Sequence, residues 1–389
     1  MNLHAILKMK MTLQRLVLVF AVPLFFFSCA TQKRLSEKGI SELRLLGEFD
    51  LPHRMQFQGT MVGGLSSIDY VAADDVYHLI CDDRSEHNPA RFYTAKIVLG
   101  NNGIDTVQLI KVTTFLQQNG KPYPNRSQDS LHVPDPEALR YNSANGTFVW
   151  SSEGERIVRK DRIILSDPSL SIISADGRLI DTLPLPSNLH MTAFEKGPRQ
   201  NGVFEGLAFT PDHKSLFVSV EEPLYEDGPR AGLQDTAGWI RILKYDMNTR
   251  LPVAQYAYQI DPVVQEPISR GAFIVNGVPD ILAINSHELI VTERSFSTGR
   301  LTCNIRLYLA EVDGAQNIAN IASLQQTPAV KPLKKRLLLN MDTLGRWVDN
   351  VEGATFGPLL PNGRRSLILV TDDNFMPFER TQFFLFEVR

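Results

Sequence analysis

Residues 201–209 read "NGVFEGLAF", residues 276–284 read "NGVPDILAI" and residues 349–356 read "DNVEGATF". Each is a short apolar run, and each carries one carboxylate at the same place: Glu205, Asp280 and Glu352. Glu137 in "VPDPEALRY" fits the same frame. These marker acids lie about 68, 75 and 72 residues apart, a period that signals a repeat architecture. A fifth copy, "VGGLSSI" from Val62, stands about 74 residues before Glu137, with Gly63 where the others carry an acid.

Each marker run is followed by turn residues and a second apolar run that ends in acids. The second runs are "YHLICDDR", "TFVWSSEGE", "LFVSVEEP", "ELIVTERS" and "LILVTDDN". Separators such as "AADD", "NSANG" and "TPDHK" are hairpin punctuation. Third runs follow in all five units and fourth runs in the first four, and the chain ends at Arg389 before a fifth fourth run. "LRLLGEFDL" (Leu43 to Leu51) precedes the first marker and supplies the missing piece. The expected fold is therefore all-β: a β-propeller of four-stranded blades, closed by the N-terminal strand joining the last blade. Strand counting gives five blades and leaves a sixth open, and a large β-sandwich is the alternative that the equal spacing disfavours. Only "ANIASLQQ" (Ala319 to Gln326) suggests a turn or two of helix.

Composition is that of a globular chain, with 43% hydrophobic and 21% charged residues among 389 and a formal net charge of -3. Nothing in that balance suits a nucleic-acid partner, and a monomer is expected. Lys8, Lys10 and Arg15 precede the apolar stretch from Leu16 to Phe27, which is too short to span a bilayer as a helix. Ser28 and Cys29 follow it directly, in the manner of a bacterial lipoprotein signal whose cysteine becomes the lipidated first residue; an ordinary secretory signal is the other reading. The expected organisation is a signal peptide over 1–28, a tether over 29–42 and one domain over 43–389. The expected location is the cell envelope, with the membrane reached through the lipid on Cys29. Cys81 and Cys303 fall in different repeats and are expected to be free thiols.

In a propeller the first strand of each blade lines the channel and the second runs antiparallel beside it. The start of strand one and the end of strand two thus share a face. The marker acids and the second-strand acids Asp82, Asp83, Glu153, Glu221, Glu222, Glu293, Asp372 and Asp373 should converge on one mouth of the channel. Like charges so crowded oppose one another's ionisation unless something compensates. A hard cation with oxygen ligands, calcium above all, is the natural partner. Candidate metal ligands are Asp82, Asp83, Glu137, Glu205, Glu222, Asp280, Glu293, Glu352, Asp372 and Asp373. Arg84, Arg294 and Arg300 are candidates for holding an anionic ester, with Arg156 also near the mouth. His87 and His132 are placed by the topology on the same face and are candidate general bases. Capping of backbone N–H groups or pairing with arginine between blades is the other occupation open to these acids. "EEPLYEDGPRAG" (Glu221 to Gly232) is a long loop whose Glu226, Asp227 and Gly228 could line the mouth. No G-x-S-x-G, H-E-x-x-H, Cys/His metal spacing or Walker loop is present.

Taken in order, "GGLSSIDY" with "CDDRS" and "ARFY", "DPEALRY" with "SSEGER", "FEGLAFTPD" with "VSVEEPL", "NGVPDILAINSHELIVTERSF", and "NVEGATFGP" with "LVTDDNF" make the chain resemble the phytase-like domain family, described by its "esterase-like activity of phytase". The resemblance runs from about Leu43 to Arg389. It implies a propeller, an exported bacterial protein and hydrolysis of a phosphoester or related ester. It is similar in logic to calcium-dependent propeller phytases, whose acidic channel mouth binds calcium ions and phosphate, but no residue role carries over by motif. A non-catalytic binding or scaffold propeller and a metal-dependent lactonase are the competing functions.

Overall fold

The computed structural model describes residues 39–100, 103–234 and 238–389, and Glu42–Arg389 forms one compact unit. The signal, Cys29 and most of the tether lie outside the described residues. Five four-stranded antiparallel sheets form a β-propeller. Blade 1 comprises Ser67–Val71, Val76–Cys81, Arg91–Gly100 and Gly103–Thr114. Blade 2 comprises Pro136–Asn142, Thr147–Ser152, Ser169–Ile173 and Leu179–Thr182. Blade 3 comprises Phe204–Phe209, Ser215–Val220, Gly238–Asp246 and Leu251–Ile260. Blade 4 comprises Ile274–Ala283, Glu288–Ser297, Asn304–Glu311 and Lys334–Asn340.

Blade 5 is built from both ends of the chain. Asn350–Leu359, Arg365–Asp372 and Gln382–Val388 are joined by Leu43–Asp50 as the outermost strand. Leu43 pairs with Val388 and Asp50 with Gln382, so the ring is latched by backbone hydrogen bonds between the two ends. First strands of neighbouring blades touch all the way round, blade 5 against blade 1 included.

Apolar side chains pack blade against blade. Ile68, Leu79 and Tyr93 of blade 1 share a cluster with Ile368, Val370 and Phe383 of blade 5. Between blades 1 and 2 the rings of Phe115 and Trp150 stack at 4.5 Å and 5°. Blades 2 and 3 meet through Val149, Leu170, Leu207 and Val218, and blades 3 and 4 through Phe217, Ile240, Ile281 and Val291. Because alternate residues of a strand face opposite sides, each blade gives one face to each neighbour. Cys81 and Cys303 are both free and buried.

Three features differ from expectation. Glu155–Arg159 and Arg162–Ser166 pair as a separate hairpin inserted between the second and third strands of blade 2. Residues 319–326 form turns rather than helix. There the carbonyls of Ile318 and Ile321 accept hydrogen bonds from the buried Arg241 guanidinium, which ties the segment to blade 3. The position equivalent to the marker acid in blade 1 is Ser66, not Gly63. Ile68 lies opposite Leu79 as Leu207 lies opposite Val218, and two residues earlier stand Ser66 and Glu205 respectively.

One side chain ties the channel together. Arg140 of blade 2 is buried and places Nη2 2.9 Å from both carboxylate oxygens of Asp280 in blade 4. Its Nε donates to the Leu207 carbonyl of blade 3 at 2.6 Å, its Nη1 to Ser67 and Ile68 of blade 1, and its Nη2 to the Ala354 carbonyl of blade 5 at 3.3 Å. Asp280 in turn accepts from the Ala354 amide at 2.7 Å. All five blades meet at this pair. Removing one partner of a buried pair leaves the other charge uncompensated. Arg140→Ala should therefore cost about 3–5 kcal/mol of stability in urea unfolding. The doubly apolar Arg140→Met/Asp280→Leu variant should recover part of that loss.

Candidate metal centre at the channel mouth

The site arises from a local irregularity of the inner strands. In blade 2 Pro136 pairs with Ser152 and Leu139 with Trp150, so Glu137 and Ala138 oppose a single residue. In blade 3 Glu205 and Gly206 do the same opposite Ser219, and in blade 5 Glu352 is the extra residue between the Val351 and Gly353 pairs. A bulge of this kind re-aims the side chain it carries. The residue after the acid is small because neighbouring inner strands pass close by. A Cβ on Gly206 would stand 2.6 Å from the Ile281 amide, and one on Gly353 2.9 Å from the Ser67 Cα.

Blade 4 breaks the pattern. Ile281 lies opposite Val291 as Leu207 lies opposite Val218. Pro279 then stands where blade 3 has Glu205, and Asp280 where blade 3 has Gly206. One step along a strand changes the face, which is why Asp280 points into the channel towards Arg140 rather than standing with the other markers at the mouth. Counting three residues past the same second-strand position gives Asp82, Glu153, Glu221, Arg294 and Asp372 in blades 1 to 5. Four acids and one arginine thus ring the mouth above the marker acids.

The arginine neutralises one sector of that ring. Arg294 Nη2 lies 2.9 Å from Glu221 Oε1 and 3.5 Å from Glu352 Oε1. Its pKa is pushed up by Glu221 and Glu352 against the effect of burial. Beside it, Asp82, Asp135 and Glu137 bring one oxygen each to within 4.8 Å of one another, and so do Glu137, Glu153 and Glu205. Glu137 belongs to both groups. Asp82 Oδ1 and Asp135 Oδ2 are buried with no hydrogen-bond partner. Arg84 stands beside them, its Nε 3.2 Å from Asp135 Oδ1 and its Nη2 2.8 Å from Glu155, which also receives Arg126 at 2.6 Å.

Burial lifts these carboxyls, and their neighbours add to it. Burial and then Glu352 raise Asp82 from 3.8 to about 7, and burial raises Glu352 from 4.5 to about 7 although Arg294 opposes it. Burial and then Glu221 take Glu222 to about 8. Asp135, Glu137, Glu205 and Asp372 are pushed well up, in each case by burial first. An all-oxygen, carboxylate-rich donor set with unsatisfied buried oxygens fits a hard divalent cation.

The other sequence candidates are occupied differently. Asp83 is saturated by the amides of Glu86, His87 and Asn88 and by Arg91 at 2.7 Å, so it caps its own loop. Asp373 accepts from the amides of Gly64 and Phe375, and Asp372 from that of Asn374. Glu293 faces away in a network with Tyr258, Asn276 and Lys335. Glu222 Oε2 lies 2.9 Å from Arg230.

His87 lies against Phe375, with ring centroids 4.6 Å apart and a tilt of 48°. His132 is exposed and pairs with Asp129 at 2.7 Å. Arg300 is spent on the Glu266 carbonyl. Arg156 donates to the carbonyls of Thr192 and Phe194. Asp227 is buried against Arg241, at 2.6 and 2.8 Å, and does not line the mouth. Asp135 and Glu155 were not among the candidates. Asp135 lies inside the quoted "VPDPEALRY", two residues before Glu137, where a second acid could have marked it.

A family model described as "Phytase-like: Esterase-like activity of phytase" matches residues 60–375. No curated protein matches the chain. Among solved structures it is similar to an endo-arabinase from Bacteroides thetaiotaomicron, with 13% identity over 84% of this chain and 94% of that one at a TM-score of 0.42. It is similar to a gluconolactonase from Xanthomonas campestris, with 9% identity over 90% and 95% at 0.35. It is also similar to a protein of unknown function from Dyadobacter fermentans, with 12% identity over 90% and 100% at 0.38. Nothing about the chemistry of the mouth rests on these three.

The raised carboxyls have a consequence for stability. Between their ordinary values of 3.8 to 4.5 and their folded values of about 7 to 8, the folded state binds more protons than the unfolded one. Their contribution is complete below that window and is lost as pH rises through it. In EDTA the melting temperature should fall from pH 5 to pH 8, and calcium added at pH 8 should restore it, as read by differential scanning calorimetry.

Proposed function

The chain belongs to the phytase-like family, and we propose that it is a divalent-cation-dependent hydrolase of a phosphoester or related ester, working at the acidic mouth of its propeller. The observation that carries this reading is the pair of carboxylate triads sharing Glu137, with buried oxygens of Asp82 and Asp135 left unpartnered. Asp82, Asp135, Glu137, Glu153 and Glu205 are the residues that would hold metal. Calcium suits them best, because it accepts many oxygen ligands in flexible geometry. A divalent ion there supplies Lewis-acid charge to a phosphoryl or carbonyl oxygen.

The chain's own groups do the rest. Arg84, fixed by Asp135 and Glu155, and Arg294, fixed by Glu221 and Glu352, present guanidinium groups at the mouth. Pinned in this way they orient an anionic ester at little further entropic cost. The Arg140–Asp280 pair closes the channel below, so the ester enters from the mouth. We propose further that the protein is exported and tethered through Cys29, on the strength of the basic, apolar and Ser28–Cys29 succession at the N-terminus.

Hydrolysis measured over a panel of phosphomonoesters, carboxylic esters and lactones should vanish in EDTA and return with calcium. Glu137→Gln, which removes the carboxylate common to both triads, should lower the rate at least about a hundredfold, as losses of key electrostatic groups do. Activity indifferent to EDTA, or none on any ester, would sink this reading, and lactone opening without phosphate release would move it to the lactonase. Cys29→Ala expressed in a bacterium should take up no labelled fatty acid and should leave the membrane fraction.

A further inference from the structure

Beside the carboxylate ring stand three arginines that donate to backbone carbonyls. Arg156 donates from Nε and Nη2 to the carbonyls of Thr192 and Phe194, both at 3.0 Å. Arg199 donates from Nε to the Pro223 carbonyl at 2.9 Å and from Nη2 to the Gly228 carbonyl at 2.8 Å. Arg230 donates from Nη2 to the Gln200 carbonyl at 3.0 Å and lies 2.9 Å from Glu222. Neutral carbonyls fix the direction of a guanidinium without cancelling its charge. Among the described residues, only Arg230 of the three has a carboxylate in contact.

The three converge. The guanidinium carbons of Arg156 and Arg199 stand 5.0 and 4.2 Å from the centroid of the Tyr225 ring. Arg230 joins them through the Gln200 carbonyl, the next residue in the chain after Arg199, and the Glu222 carboxylate acts on both Arg199 and Arg230. The bonds above leave Nη1 of Arg156 and Arg199 uncommitted. Glu222 offsets one of these three charges, which leaves a net positive group around an aromatic ring, and a guanidinium fork matches the oxygens of a phosphate.

The group also adjoins the acidic mouth. The segment that carries Arg199, and whose Gln200 carbonyl holds Arg230, gives the amides of Gly202 and Val203 to Glu153 Oε1, with Gly202 at 2.7 Å. We propose that Arg156, Arg199 and Arg230 around Tyr225 form a phosphate-binding subsite that needs no divalent ion, seated against the metal-holding carboxylates through the shared Arg199–Val203 segment. Its use as a substrate subsite rests on the hydrolase reading above; its capacity to bind phosphate does not.

The test is calorimetric titration of orthophosphate into the metal-free protein in EDTA at neutral pH. Wild type should bind. Arg199→Gln/Arg230→Gln should bind at least about tenfold more weakly, the scale of losing charge-assisted hydrogen bonds. Arg199→Lys/Arg230→Lys, which keeps charge but loses the fork, should fall between. Calcium should still raise the melting temperature of each variant, which shows that the fold and the neighbouring carboxylates are intact. Should the glutamine variant fail that control, orthophosphate protection of wild-type arginines from phenylglyoxal in EDTA replaces it.

Phosphate binding that appears only with calcium, unchanged binding in a folded glutamine variant, or absent protection would overturn the subsite. Competition by glycerol phosphate identifies a phosphomonoester as the source of the bound group; orthophosphate binding without that competition identifies free phosphate. Absence of turnover on every ester would end the hydrolase reading and leave this binding result standing.

Discussion

The bidentate meeting of Arg140 with Asp280 is the constraint around which the propeller is organised. A ring of five sheets has a central axis where backbone groups of the inner strands converge, and no sixth element fills it. Arg140 spends its donors on carbonyls of Leu207, Ile68 and Ala354 and on the Asp280 carboxylate. It thereby satisfies acceptors that would otherwise face one another across the channel. The pair is electrostatically expensive to bury, and burial still holds Asp280 up at about 6 despite the guanidinium. What it returns is specificity of register, because any inner strand displaced by one residue loses its contact with the axle.

That pair also separates two functions of acid residues along the same axis. Below, one carboxylate is matched with one guanidinium and is structurally complete. Above, Asp82, Glu137, Glu153 and Glu205 share the mouth without a guanidinium for each, and their protons become hard to remove. Such a ring stays folded in one of two ways: the carboxyls keep protons, or a cation replaces them. Natural proteins store strain of this kind where it serves chemistry.

The repeat made much of this legible. Five inner strands, their turns, the closing role of Leu43–Asp50 and the convergence of two sets of acids on one mouth all follow from spacing and antiparallel topology. What spacing could not show was register at the level of one residue. Asp280 aligns with Glu205 by count, yet the bulge of blade 4 takes Val278 and Pro279 and leaves Asp280 one step deeper. The stretch "ERIVRKDRIILS" has two short apolar runs about a polar turn, as a hairpin can, but a four-strand template had no place for it. Asp83 and Asp373 looked like their partners Asp82 and Asp372, and only the loops that fold back on them reveal them as caps. Paired acids at a strand end face opposite sides, so Asp82 is left for the mouth while Asp83 serves the loop.

The departures from five-fold symmetry decide where an ion would sit. Blade 4 contributes Pro279 and Arg294 in place of two acids, and Arg294 draws Glu221 and Glu352 to itself. Blade 1 has Ser66 in place of its marker, and Ser66 is turned to the Glu137 carbonyl. The arginine-paired sector therefore lies over blades 3 to 5, and the unbalanced carboxylates over blades 1 to 3, with Glu137 of blade 2 shared by both triads. A symmetric ring of five acids would offer equivalent positions and a cation shared among them. One arginine replacing one acid removes that equivalence and confines the unpaired carboxylates to one part of the mouth.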